Sequence, residues 1–184
     1  MDWNQLAYLC AKWMDLKFWK VEKFENEFSD FLGLPEQHAV ALSSGTSALF
    51  MALWSLKAKH KSIAMPVYVC SSLRNAIAMS NAKEILVDNE KNSPNISLNE
   101  LQKSNADIAI IPHMFGLPNE IENIKNLDII EDCAQSLGAF IGHKKTGLVG
   151  KVGIFSFYAT KLLTSGGQGG MFVSEDRSLV DKVR

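Results

Sequence analysis

Gly153 to Gly170 reads GIFSFYATKLLTSGGQGG, and the rest of the chain is organised around it. Ile154, Phe155 and Phe157 make a short apolar strand that breaks into polar, glycine-rich chain. In the break stands Lys161, flanked by Ala159, Thr160, Leu162 and Leu163, with Gly166, Gly167, Gly169 and Gly170 just beyond. A lysine after a strand is ordinarily a solvated surface charge. Small and apolar neighbours favour instead a partly desolvated amine, and desolvation favours its neutral, nucleophilic form. The glycines favour backbone that approaches something closely or takes positive φ. Such a lysine is a candidate for a Schiff base with an aldehyde cofactor.

A second stretch sharpens that reading. Ile129 to Ala139 reads IIEDCAQSLGA, an apolar strand end followed by Glu131 and Asp132. In a pyridoxal phosphate enzyme a carboxylate must face the pyridine nitrogen and keep it protonated. Two unit charges about 4 Å apart are worth roughly 4 kcal/mol at an effective dielectric of about 20. That is about three pKa units, enough to hold the nitrogen protonated near neutrality. From these residues alone, a pair of acids capping a helix is the competing reading.

Outward from these two stretches the chain is a series of strand–helix units. Apolar positions at Trp3, Leu6, Cys10, Trp13 and Leu16 mark an amphipathic helix, and Val21, Phe24, Phe28, Phe31 and Leu32 mark another that stops at Gly33. The tryptophans Trp3, Trp13 and Trp19 suggest that the leader packs on a partner. Strands are expected at Ala39–Leu42, Ser62–Met65, Ile85–Val87, Ile108–Ile111 and ending at Asp132. Helices are expected where Ser43, Ser44, Gly45 and Thr46 lead into a run through Leu56, from about Ser72 to Met79, after the Ser97/Glu100 capping box, and after an N-cap at Ser178. Gly142 to Gly150 (GHKKTGLVG) reads as a turn-rich, hairpin-like excursion. The alternation predicts an α/β fold of three layers, a mostly parallel sheet with helices on both faces. Thr46, Tyr68, His113, Asp132, Ser156 and Lys161 then all fall beyond the C-terminal ends of strands, the rim where open α/β sheets bind ligands. His113 is expected at that rim, whereas His38, His60 and His143 read as surface.

Composition narrows the function classes. The 184 residues suit one domain of ordinary globular make-up. A net charge of −1 leaves no electrostatic footprint for nucleic acid. No apolar run reaches the roughly 18 residues of a membrane span, and Met1–Asp2–Trp3–Asn4 does not open a secretory signal. Cys10, Cys70 and Cys133 are far apart with no C-x-x-C, so neither a disulfide framework nor a structural metal is expected, and a reducing, cytoplasmic compartment fits. Ser43 to Leu49, SSGTSAL, is a small-residue turn feeding a helix, whose Gly45, Thr46 and Ser47 N–H groups offer an anion site. An ordinary serine N-cap explains the same residues equally well. The stretch is neither a Walker loop nor a G-x-G-x-x-G fingerprint.

SSGTSAL, EDCAQSLGA (Glu131 to Ala139) and FSFYATKLLTSGGQGG (Phe155 to Gly170), in that order, resemble the DegT/StrS sugar aminotransferases. These are fold-type-I, aspartate-aminotransferase-like pyridoxal phosphate enzymes. The resemblance runs from about Phe24 to Arg184. The apolar periodicity makes 1–34 a helical segment, and the resemblance implies the cofactor-binding large domain over 35–184, with the family's second, smaller domain absent. It implies that Lys161 forms the Schiff base and carries the proton, that Asp132 pairs with the pyridinium, and that Gln135 bonds near the phenolic oxygen. Gly45, Thr46, Ser47 and Ser156 would hold the phosphate. It further implies amino transfer, from glutamate by family habit, to a nucleotide-linked keto sugar, in a homodimer or beside a polypeptide supplying the missing half. Lysine at 161, where some relatives carry histidine and dehydrate sugars, favours transamination. Two departures stand out. Where the family places an aromatic ring on the cofactor face, PVYVCSSLRN (Pro66 to Asn75) has Cys70, leaving Tyr68 as a possible substitute. The family's G-E-G-G is here Gly167–Gln168–Gly169–Gly170. The competing expectations are a catalytically incomplete remnant or assembly subunit and, more remotely, a Cys133-based hydrolase or nucleotide-binding module.

Overall fold

The structure is a computed structural model that describes residues 19–184. The helix expected over Trp3 to Leu16 lies outside the described residues. Helix α1 (Trp19–Leu32) leads into strand β1 (Ala39–Leu42), α2 (Gly45–Ser55), β2 (Ser62–Pro66), α3 (Ser71–Met79) and β3 (Lys83–Val87). Then come α4 (Leu98–Lys103), β4 (Ile108–Pro112), β5 (Asp128–Asp132), the small ribbon β6 (Phe140–Ile141) and β7 (Lys144–Lys145), β8 (Val152–Ser156), β9 (Gly170–Val173) and α5 (Arg177–Val183).

Seven strands form one sheet in the order β1-β9-β8-β5-β4-β2-β3. The pairs β2·β3, β2·β4, β4·β5 and β5·β8 are parallel, and only β9 runs against its neighbours. The period-two alternation of the strands sorts the side chains to two faces. Ile63, Met65, Ile108, Ile110, Ile130, Ile154 and Phe172 pack in one cluster with Ala48, Leu49 and Leu53 of α2, Leu73 and Ile77 of α3, and Leu179 and Val180 of α5. On the opposite face Phe24, Phe28 and Leu32 of α1 meet Phe155, Met171 and Val173, and Leu101 of α4 meets Ala109, Ile111 and Ile129. The architecture is therefore the expected three-layer α/β sandwich. Phe24 and Phe28 of α1 are core: Phe28 stands edge-on to Phe155 at 5.1 Å and to Phe157 at 5.7 Å.

Two local expectations are corrected. Asp176, not Ser178, caps α5, its Oδ1 accepting the Ser178 N–H at 2.8 Å. A carboxylate there satisfies a first-turn donor and also faces the positive end of the helix dipole. His38 is buried rather than on the surface, because its Nδ1–H donates to the Ser174 carbonyl at 2.8 Å and so can leave water without an unmet donor. The capping box is half present: the Ser97 hydroxyl accepts the Glu100 N–H at 3.5 Å. The excursion at Gly142 does turn a hairpin, pairing Phe140 with Lys145 and Ile141 with Lys144.

Candidate active site

Five parallel strand ends, those of β1, β2, β4, β5 and β8, converge with the start of β9 around a cleft of about 350 Å³. That volume is within the range that takes a small organic cofactor. Its wall includes Gly45 and Thr46 after β1, Cys70 and Ser72 after β2, His113 after β4, Asp132 and Gln135 from β5 onward, and Ser156, Tyr158 and Lys161 from β8 onward.

The anion end is built by the start of α2. Ser44 is extended and caps the helix, its hydroxyl accepting the Ser47 N–H at 3.0 Å. The Gly45 and Thr46 N–H groups have no acceptor among the described residues, as expected for the first turn of a helix. Glycine is required at position 45 by space: a Cβ there would lie 2.8 Å from Ser156 Cβ and 3.1 Å from its Oγ. Gly170 is equally constrained, since its Cβ would lie 2.3 Å from the Ser44 carbonyl oxygen. The two glycines let β8, β9 and the helix start close on one another, so that Ser156 stands beside the free N–H groups. Anions bind such arrangements.

Asp132 and Lys161 line the same space. The alternation along β5 points Ile130 and Asp132 toward the α2/α3 layer and Ile129 and Glu131 toward the opposite one. Asp132 Oδ1 accepts the Ala134 N–H at 3.0 Å, and Oδ2 takes no hydrogen bond from the described residues. The residue keeps partial access to the cleft while its carboxyl lies deep among protein atoms. Burial accordingly raises that carboxyl above its ordinary value, opposed by the Ala134 N–H, the Lys161 ammonium and His113. A carboxylate disfavoured by burial and short of donors is suited to a cationic ligand atom. Lys161 is half-buried, and its Nζ makes no hydrogen bond or ion pair with the described residues. Gln135 Oε1 accepts the Phe115 N–H at 3.0 Å, which leaves its NH₂ free to donate into the cleft.

Several residues fall elsewhere than the sequence suggests. Tyr68 is 58% exposed and not part of the cleft wall, whereas Cys70, at the N-cap of α3, is. The Ser72 hydroxyl and N–H lower the Cys70 thiol, burial acts against them, and Lys161 adds to the lowering. Ser47 is outside the wall, its hydroxyl bonded to those of Ser43 and Ser44 at 2.9 and 3.0 Å. His113 lines the cleft but is fully buried, with Nδ1 accepting the Asn119 N–H at 3.0 Å and Nε2–H donating to Glu131 at 2.9 Å. Glu131 caps no helix; it is wholly buried and takes three backbone N–H groups besides His113. Cys133 is buried off the cleft wall, and burial, with Glu131 and Asp132 adding, pushes its thiol well up, which disfavours the thiolate. Ser72, Tyr158 and Thr160 are wall residues that the sequence does not single out; Tyr158 and Thr160 were signalled only by lying between Ser156 and Lys161.

Known proteins resemble this chain over most of its length. The family model of the DegT/DnrJ/EryC1/StrS aminotransferase family matches residues 5–184. The chain is 30% identical to the GDP-perosamine synthase of Vibrio cholerae over 99% of its own length and 53% of that protein's. It is 35% identical to the spore coat polysaccharide biosynthesis protein SpsC of Bacillus subtilis, over 90% of this chain and 44% of that protein. Among solved structures it superposes on an aminotransferase from Psychrobacter cryohalolentis with a TM-score of 0.86 at 25% identity, covering 97% of this chain and 49% of that one. The chain thus spans about half the length of the relatives it matches. A sheet whose strand ends gather Lys161, a half-buried Asp132 and a helix N-terminus, matched over residues 5–184, belongs to the DegT/DnrJ/EryC1/StrS aminotransferase family.

Proposed function

We propose that this chain is the cofactor-binding large-domain portion, over residues 35–184, of a pyridoxal phosphate-dependent aminotransferase that transfers an amino group, from glutamate, to a nucleotide-linked keto sugar. The observation that carries the reading is that Lys161 and Asp132, remote in sequence, line one cleft whose wall includes the start of α2. The relatives named above, a GDP-perosamine synthase and a polysaccharide biosynthesis protein, support the sugar class.

Bound there, pyridoxal phosphate supplies an aldehyde carbon that holds amino groups and a pyridinium ring that accepts electrons. Gly45 and Thr46 N–H groups and the Ser156 hydroxyl bind the phosphate. Asp132, ionised, holds the proton on the ring nitrogen, and its burial strengthens that attraction. Gln135, its carbonyl occupied by the Phe115 N–H, offers its NH₂ to the phenolic oxygen. The Lys161 amine would hold the cofactor's aldehyde carbon and would serve as the proton carrier at that point of the cleft. Cys70 takes the wall position that a ring takes in relatives. A reducing, cytoplasmic setting suits the three dispersed cysteines. No helix among the described residues is long and apolar enough to cross a membrane.

A second reading, that turnover needs a partner, is favoured by exposed apolar side chains near the cleft. Val67 and Tyr68 follow β2, and Phe115 and Leu117 follow β4, all more than half exposed. In this reading the chain works as a homodimer or beside a polypeptide supplying a C-terminal half. The test adds pyridoxal phosphate to purified protein. A visible absorption band that borohydride bleaches, with the cofactor fixed to Lys161 by mass spectrometry, is the expected result; no label on Lys161 overturns the assignment. Amination of nucleotide-linked keto sugars with and without a co-expressed C-terminal half then separates the two readings.

A further inference from the structure

Glu131 is the most heavily hydrogen-bonded side chain among the described residues, and nothing in the proposed chemistry uses it. Its carboxylate has no solvent access. Oε2 accepts His113 Nε2–H at 2.9 Å and the Gly147 N–H at 2.9 Å; Oε1 accepts the Val149 and Gly150 N–H groups at 2.7 Å each. His113, Glu131 and Cys133 bring potential ligand atoms within 4.8 Å of one another, yet the cluster does not suit a cation. Each Glu131 oxygen already takes two donors, His113 Nδ1 is used by Asn119, and the Cys133 thiol is pushed toward its protonated form.

The glycines between 147 and 153 belong to the same device. A Cβ at Gly150 would lie 2.7 Å from the Ile129 carbonyl oxygen and 3.3 Å from Glu131 Cγ, and one at Gly153 would lie 2.5 Å from the Gly147 carbonyl oxygen. The loop wraps the carboxylate because side chains are missing where it passes. The clamp thereby ties together three elements of the cleft wall. His113 extends β4, Glu131 precedes Asp132 on β5, and the loop feeds β8, which carries Ser156. His113 grips β5 twice, by its ring on Glu131 and by its backbone N–H on the Asp132 carbonyl at 3.1 Å.

We propose that Glu131 is a positioning residue of the cofactor cleft: its buried carboxylate, by holding His113 and the glycine loop together, sets where Asp132 presents its own carboxylate. The proposal rests on the reading of Asp132 as the partner of the cofactor's ring nitrogen. Only a full-length carboxylate fits. Glutamine would turn an NH₂ toward two N–H donors whichever way it lay, and aspartate would be one methylene short.

The experiment has one arm without cofactor and one with it. In the cofactor-free protein the Ala134 amide, which donates to Asp132, reports the position of that carboxylate by hydrogen exchange. Glu131→Gln is expected to speed exchange at Gly147, Val149 and Gly150 and also at Ala134, by roughly tenfold. Loop amides that open while Ala134 keeps its protection would overturn the proposal. His113→Gln, which perturbs one of the four donors, serves where Glu131→Gln fails to fold; a smaller loss at Ala134 supports the proposal and an unchanged one overturns it. In the second arm, absorbance titration with pyridoxal phosphate is expected to show Glu131→Gln weakening binding by roughly tenfold in the parent. In an Asp132→Asn background the same change should weaken it less than about twofold, since the partner it acts through is gone. Equal losses in both backgrounds overturn it. A parent protein that shows no cofactor band sinks the proposed function instead, and leaves the exchange arm to decide on Glu131.

Discussion

Asp132 and Lys161 line one cleft from two very different kinds of chain. Asp132 ends β5, which is paired in parallel to β4 on one side and β8 on the other, with the Glu131 clamp behind it. Lys161 stands in a turn held by its own N–H on the Tyr158 carbonyl at 2.8 Å, and the adjacent Leu162 is 60% exposed. That loop is held by the Tyr158·Gly167 bridge, the Phe157 N–H on the Gly169 carbonyl at 2.8 Å, the Ser165 N–H on the Phe157 carbonyl at 3.1 Å and the buried Leu163, with Lys161 itself on the turn between them. The difference matches the two tasks. A fixed charge is worth most where it cannot reorganise, so it sits on a central strand. A group that must form and release a bond, and carry a proton between atoms, needs a rotatable stem and room to travel.

The comparison can be broken at four points. Lys161→Ala should abolish borohydride-stable attachment of pyridoxal phosphate, read by intact mass; attachment at another lysine would mean that the loop amine is dispensable. Asp132→Asn should weaken cofactor binding by roughly 100-fold or more, since an interaction worth up to about 4 kcal/mol is removed. A loss near twofold in absorbance titration would show the strand-borne charge to be idle.

The foundations themselves differ in expected stability. Ile130→Ala, on the strand under Asp132 and fully buried, should destabilise by about 2–5 kcal/mol in denaturant unfolding, whereas Leu162→Ala in the loop should stay within about 0.5 kcal/mol. The smallest effect runs in the opposite direction. Burial raises the Asp132 carboxyl, so its contribution to folding is most favourable below the ordinary carboxylate range and is lost as pH rises through the raised value. Cofactor-free Asp132→Asn should therefore melt slightly above the parent at pH 7, the gap closing as pH falls below the ordinary carboxylate range. A parent that melts higher at pH 7 would show that Asp132 supports the fold rather than being tolerated for the site.

The strand–helix alternation was legible because burial on both faces writes near-continuous apolar runs such as Ile108–Ile111, and capping and turn residues bound them. Lys161, Asp132 and Ser156 were legible as rim residues for the same reason: each follows such a run. Tyr68 and Ser47 show the limit of that logic. Both follow strands at the right distance, yet Tyr68 turns outward to 58% exposure and Ser47 spends its hydroxyl on its serine neighbours. Lying after a strand fixes the rim, not the direction in which a side chain leaves it. The role of Glu131 was hidden more completely. An acid beside Asp132 looks like a second candidate for the site, and its donors come from backbone up to nineteen positions away in the chain.

Local chemistry thus determined which elements form, that they alternate, and which residues reach the binding rim, since periodicity and turn chemistry act between near neighbours. The tertiary structure alone decided which of those residues share a cleft, why Gly45 and Gly170 have to be glycine, and that Glu131 is enclosed while Asp132 is presented. Those outcomes depend on strand order and on close approach between segments remote in sequence, and no local pattern encodes the distance between them.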